Sequence, residues 1–134
     1  VMIWNKNVVY RDIGYSMDDL IIRLQMYFGF ENLPNDKNNF KVSQKSFPGI
    51  IVINYNIFKP KCFSNFELDF INQTKIQQNI QIRKKREGYG SRIITSQENF
   101  ARSVGMKTAQ LNYLQEGSEN FWKFMNYKDK IKLL

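Results

Sequence analysis

Histidine is absent from the 134-residue chain, and cysteine occurs once, as Cys62. The first absence removes the commonest general base, His-assisted serine or cysteine nucleophiles, and imidazole metal sites. The second excludes an internal disulfide and a cysteine metal cluster, so no metal is expected. No apolar run approaches the roughly 18 residues that a membrane helix requires, and no membrane partner is expected. The opening VMIWNKNVVY lacks a signal-peptide pattern, because Asn5, Lys6 and Asn7 interrupt its apolar residues at once. A cytoplasmic site of action is the resulting expectation. A chain that opens on Val1 rather than methionine reads equally as a processed segment or as one with a cloning boundary. Internal repeats, domain linkers and heptads are missing too. Any chemistry must run on carboxylates, tyrosine, backbone dipoles or a bound coenzyme.

What is present suits one packed domain over residues 1–134. A hydrophobic fraction of 43% and an aromatic fraction of 15% are ample for a core and unlike a disordered chain. The formal charge of +8 serves solubility and an anionic coenzyme, or a polyanionic partner such as tRNA. The same charge disfavours a small cationic acceptor.

Along the chain, a first strand is predicted around Asn7 to Tyr10. Ser16 reads as a helix N-cap, with Asp18 and Asp19 in the first turn, where the helix dipole favours negative charge. Leu20, Ile21, Leu24, Tyr27 and Phe28 keep helical spacing up to Gly29. Glu31 to Ser46 is polar and reads as a long loop. Strands are predicted over Ile50–Phe58 and Phe63–Ile71, the second with Phe66, Leu68 and Phe70 on one face and Glu67 and Asp69 on the other.

The stretch from Ile76 to Val104 organises the rest. Ile76, Ile80 and Ile82 are predicted to share one face of a third strand. Arg83, Lys84, Lys85 and Arg86 follow, then Gly88 and Gly90, which permit a tight turn or a close approach. Ile93, Gln97, Phe100, Ala101 and Val104 keep helical spacing, with Gly105 at the C-terminus. Cations, glycines and helix N–H groups together make a phosphate site. A further strand over Lys107–Leu114 and a short helix in SENFWKFMNY complete the chain. Three strands in a meander, then a helical crossover to a parallel neighbour, predict a mixed α/β (α+β) fold.

The run Lys85-Arg86-Glu87-Gly88-Tyr89-Gly90 resembles the Q/R-x-x-G-x-G/A signature of the GNAT family of N-acetyltransferases, and the element order from Ile76 to Tyr127 is similar to that family's motifs A and B. The resemblance implies a GNAT-like, mostly antiparallel mixed central sheet with helices on both faces. It implies acetyl-CoA as co-substrate and an amine acceptor, on tRNA or on a protein. It also leaves room for a homodimer. Ile80, Gln81 and Ile82 would offer backbone groups to the pantetheine arm and thioester. Lys85, Arg86, Glu87, Gly88, Tyr89, Gly90 and Ser91 would offer N–H groups to the pyrophosphate. Lys85 keeps the charge of the family's Q/R position but not the guanidinium fork. Trp122 stands where family members often carry a proton-donating tyrosine, and Asn126 stands where they carry a glycine. Tyr113 and then Tyr89 are the substitutes for the tyrosine, although each also reads as a packing residue. Glu67 and Asp69 could accept a proton through water, although the plainer reading of both is a solvated strand face. The alternative function is a noncatalytic basic module for nucleic acid or protein, built on Arg83–Arg86 with Tyr89, Trp122 and Tyr127 as stacking surfaces.

Overall fold

The computed structural model describes residues 2–3, 14–27, 40–44, 49–58, 61–82, 88–112 and 114–134. The strand expected at Asn7–Tyr10 lies outside these residues. The first helix, α1 (Met17–Tyr27), starts as its sequence dictates. The Ser16 hydroxyl accepts from the Asp19 N–H at 3.1 Å, and the Asp19 carboxylate accepts from the Ser16 N–H at 3.4 Å. This reciprocal pair satisfies donors that a helix N-terminus otherwise leaves open. Leu20 and Leu24 are buried, whereas Tyr27, expected on the same face, is exposed.

A single mixed sheet carries the chain in sequential order: β1 (Met2–Ile3), β2 (Phe40–Gln44), β3 (Ile50–Phe58), β4 (Lys61–Asp69), β5 (Thr74–Ile82), β6 (Thr108–Leu111) and β7 (Ile131–Leu133). Neighbouring strands are antiparallel except β5 and β6, which are parallel and joined by α2 (Tyr89–Ser103). A parallel pair needs such a crossover. The segment 31–46 is not loop throughout, because β2 lies within it and pairs with β3 from Phe40↔Tyr55 to Gln44↔Ile51. Its five residues alternate too briefly to announce a strand; the long apolar β3 beside it supplies the pairing.

The expected common face of Ile76 and Ile80 does not survive in β5. Asn65 pairs with Asn79 while its neighbour Phe66 pairs with Gln77, so Gln78 stands opposite no residue of β4. This β-bulge reverses the alternation. Ile76 pairs with Glu67 and faces away from the helices, whereas Ile80 pairs with Ser64 on the helix side.

That helix side holds the core. Ile51, Ile53, Phe66 and Leu68 pack with Leu20 and Leu24 of α1 and with Ile93, Phe100, Ala101 and Val104 of α2. Burying each such large side chain stabilises the fold by about 1.5–3 kcal/mol. A second cluster joins Ile94 of α2, Ala109 and Leu111 of β6, and Trp122 and Met125 from α3 (Glu119–Phe124) and its end. Ala109 and Leu111 register with Lys75 and Gln77, and these register with Leu68 and Phe66. Among the described residues, the buried contacts of all three helices therefore gather on one face, where the expectation had helices on both. Helix α2 ends as predicted at Gly105 (φ 92°), whose N–H donates to the Arg102 carbonyl while the Met106 N–H donates to Ala101. This paired closure requires a left-handed residue and so a glycine.

Candidate functional site

Strands β5 and β6 run side by side only from Thr74↔Thr108 to Gln77↔Leu111. The Asn112 N–H still donates to the Gln77 carbonyl at 3.0 Å, and its side-chain amide donates to Gln78 Oε1 at 2.7 Å. Beyond that point β5 continues through the bulge to Ile82, while the chain after Leu111 turns toward α3. The separating strands leave a cleft of about 760 Å³.

One wall is β5 itself, from Gln77 to Ile80. The other is Leu111, the turn Gln115–Ser118, and Asn120, Phe121, Trp122 and Phe124 of α3. Gly88, Gly90 and Ser91 close one end. Gly88 adopts φ 78°, a left-handed conformation that glycine takes without strain, and it stands at the N-cap of α2. Its carbonyl accepts from the Arg92 N–H and the Ser91 hydroxyl. First-turn N–H groups have no acceptor within a helix and carry the positive end of its dipole. The cleft thus offers a bulged strand on one side and an anion-seeking helix end at its mouth.

Of the residues expected to bind a coenzyme, Ile80, Gly88, Gly90 and Ser91 line this cleft. Gln81 and Ile82 continue β5, and Tyr89 is the first residue of α2. Lys85, Arg86 and Glu87 lie outside the described residues, as do Arg83, Lys84 and Tyr113. The two acidic candidates are elsewhere. Glu67 and Asp69 do not form the solvated strand face that alternation predicts, because both are buried. Glu67 registers with Ile76, on the face turned away from the helices. Asp69 holds the β4–β5 turn, accepting from the Ile71 and Asn72 N–H groups and from the Asn72 side chain at 2.8–3.0 Å. Trp122 is buried and stacks edge-on between Phe121 and Tyr127. Tyr127 is buried too and donates to Glu98 at 2.6 Å, so neither it nor Trp122 is the exposed stacking surface expected of a basic module.

Sequence reasoning passed over the amide side chains. Gln77, Gln78, Asn79, Gln115 and Asn120 surround the cleft, and among the described lining residues Glu116 alone is ionisable. One signal was legible: three polar residues between Ile76 and Ile80 break strand alternation and mark a bulge. A second miss is Lys75, fully buried and hydrogen-bonded to Gln77 of the cleft wall. Burial pushes its amine down to about 7, against a raising effect from the Glu98 carboxylate and a further lowering one from Lys132. Burial and the Glu98 carboxylate push the Tyr127 hydroxyl the other way, well above its ordinary value.

Among the described residues no group of His, Cys, Asp and Glu side chains could hold a metal ion. No described helix is long and apolar enough to cross a membrane. Comparison with protein-family models, with curated proteins and with solved structures finds no match.

Proposed function

We propose that the chain is an acetyl-CoA-dependent N-acetyltransferase with a GNAT-like fold. The observation that carries this reading is the separation of β5 from β6 at a bulge, which leaves a cleft running to the N-terminus of α2. A pantetheine arm carries amide groups and suits an unpaired strand edge and the amide-rich walls. A pyrophosphate suits the first turn of α2, where Gly88 gives the backbone its left-handed start. Net charge of +8 adds a general attraction for such an anion.

Acetyl-CoA supplies an acetyl group already activated as a thioester. The acceptor nitrogen bonds to the acetyl carbon as the carbon–sulfur bond breaks, and the nitrogen sheds a proton while the sulfur leaves as a thiolate or takes one up. Glu116 lines the cleft, and in this reading its carboxylate would attract the amine and take its proton, directly or through water. Trp122 borders the cleft and can offer an indole N–H, a donor with no acid function near neutral pH, so positioning carries more of the rate than acid catalysis. A polyanionic acceptor such as the amino group of aminoacyl-tRNA fits the charge; a protein amine is the competing acceptor.

The test is calorimetric titration with acetyl-CoA and, in parallel, with free CoA. Micromolar binding is expected, and it should disappear in Gly88→Val, whose branched side chain is strained at φ 78°. Circular dichroism of the variant checks that the fold persists. A folded protein that binds neither compound ends the acetyltransferase reading, and salt-dependent RNA binding retained by Gly88→Val would put the basic module in its place.

A further inference from the structure

The bulge that opens the cleft is an expensive local arrangement, because Gln78 interrupts the ladder and leaves neighbouring backbone groups without their usual partners. One buried side chain ties these off. Gln77 Nε2 donates to the Asn79 carbonyl at 2.8 Å and lies 3.3 Å from both the Asn65 carbonyl and Ser64 Oγ. Those carbonyls lie across and just beyond the bulge on its two strands. Two carbonyl acceptors on one side of the amide settle its orientation, so Gln77 Oε1 points the opposite way, to Lys75 Nζ at 2.9 Å. Ser64 Oγ in turn accepts from Gln97 Nε2 at 2.7 Å, and Gln97 belongs to α2. A buried polar string therefore runs from Lys75 through Gln77 and Ser64 to the helix whose first turn closes the cleft. Lys75 itself is fully buried over the Phe66 ring, 5.4 Å from its centroid, and reaches the cleft only through Gln77, without lining it.

We infer that Lys75 is a positioning residue for the cleft: by fixing the Gln77 amide it holds the Gln78 bulge and so keeps β5 parted from β6. An apolar side chain would fill this core position at less desolvation cost, since a lone buried amine is unfavourable. Its use here makes sense as the donor that only Gln77 Oε1 needs. The inference rests on the acetyltransferase reading only for what occupies the cleft; the hold on the bulge stands apart from it.

Two measurements on Lys75→Met and Gln77→Met test it. Amide hydrogen exchange is read at Gln78, Asn79 and Ile80, and acetyl-CoA affinity is compared with that of adenosine diphosphate, which has the phosphates but no pantetheine arm. In both variants exchange at these three amides should rise at least about tenfold, the effect of losing one buried hydrogen bond, while the β3–β4 amides stay protected. Acetyl-CoA binding should weaken by a similar factor and adenosine diphosphate binding should not. Unchanged exchange at the bulge in Lys75→Met would overturn the inference, as would a uniform rise throughout the sheet. Should one variant fail to fold, the other decides by the same readings. If the unaltered protein binds no acetyl-CoA, the function proposal fails alone and the exchange result still decides this one.

Discussion

Lys75 and Lys132 are near twins in the sheet and opposites in their surroundings. Both register with Ala109, one from β5 and one from β7, and both lie on the face that α2 covers. Lys132 keeps 14% of its side chain exposed and meets the Glu98 carboxylate at 2.7 Å. Lys75, two strands further in, has no exposure and rests its amine against the carbonyl of a neutral amide. A cation at the rim with a carboxylate at contact is a stable ion pair. A cation inside without one gives up its proton readily, and its amine falls to about 7. Sheet position sets which way a lysine points, but its partner and its water decide whether it stays charged.

The comparison breaks most severely at Glu98, the carboxylate both lysines depend on. It accepts from Lys132 and from the Tyr127 hydroxyl and raises the Lys75 amine. Glu98→Gln removes the negative charge and leaves Lys132 unpaired in a largely buried place. The expected cost is about 2–4 kcal/mol in urea unfolding, toward the lower end for a partly hydrated cation. A loss under about 0.5 kcal/mol, as for an ordinary surface change, would mean that Glu98 does not organise this corner.

Lys75 comes next, and its effect has the opposite sign. The folded chain holds this amine near 7 whereas an ordinary lysine titrates at 10.5. Between those values the unfolded chain binds the extra proton, so stability rises with pH across that window. Below 7 both states are protonated and the contribution is flat. Lys75→Met should therefore stabilise the protein at pH 7 by about 1–3 kcal/mol, the relief of burying a charge less the lost hydrogen bond. Thermal unfolding of both proteins from pH 6 to 10 reads it (the range brackets the window). The gap should narrow as pH rises, and a gap that is constant across the range would show that Lys75 keeps an ordinary affinity for its proton. Such a stabilising variant that also loosens the bulge is the expected trade of a functional site.

That trade explains what could be read in advance. Helix α1 with its Ser16–Asp19 cap, strands β3 and β4, and the end of α2 at Gly105 follow from local pattern, because capping, alternation and a left-handed closure are properties of a few adjacent residues. The glycine end of the cleft, Gly88 to Ser91, was legible for the same reason. The other wall was not. Gln115 to Phe124 meets β5 only through the fold: the short helix in it is legible locally, but the wall that it forms is not. Glu67 and Asp69 show a different limit: alternation places them on the right face but cannot say whether that face meets water. Lys75 is the strongest case. A lysine in a strand reads as solvated, and nothing in the order of residues shows that Phe66, Gln77 and α2 will close over it.

Lys132→Met is the mildest change and the sharpest. The rim site tolerates an apolar side chain, and Tyr127 still donates to Glu98. The expected loss is about 1.5–2 kcal/mol, the low end for a hydrogen bond to a charged group, because the buried Glu98 carboxylate keeps its Tyr127 partner. Its value lies in what happens to the other lysine. Lys132 depresses the Lys75 amine by charge repulsion, and in leaving it also frees the Glu98 carboxylate to attract that amine more strongly. Both effects raise the affinity of Lys75 for its proton. The window of pH in which stability climbs should then open above 7 rather than at it. The direct reading is the Lys75 Nζ titration by nitrogen-detected NMR, in the unaltered protein and in the variant. An upward shift makes the two lysines one coupled unit, with the rim cation helping to keep the inner amine neutral. No shift would mean that burial alone sets Lys75, and the contrast between the twins would reduce to depth.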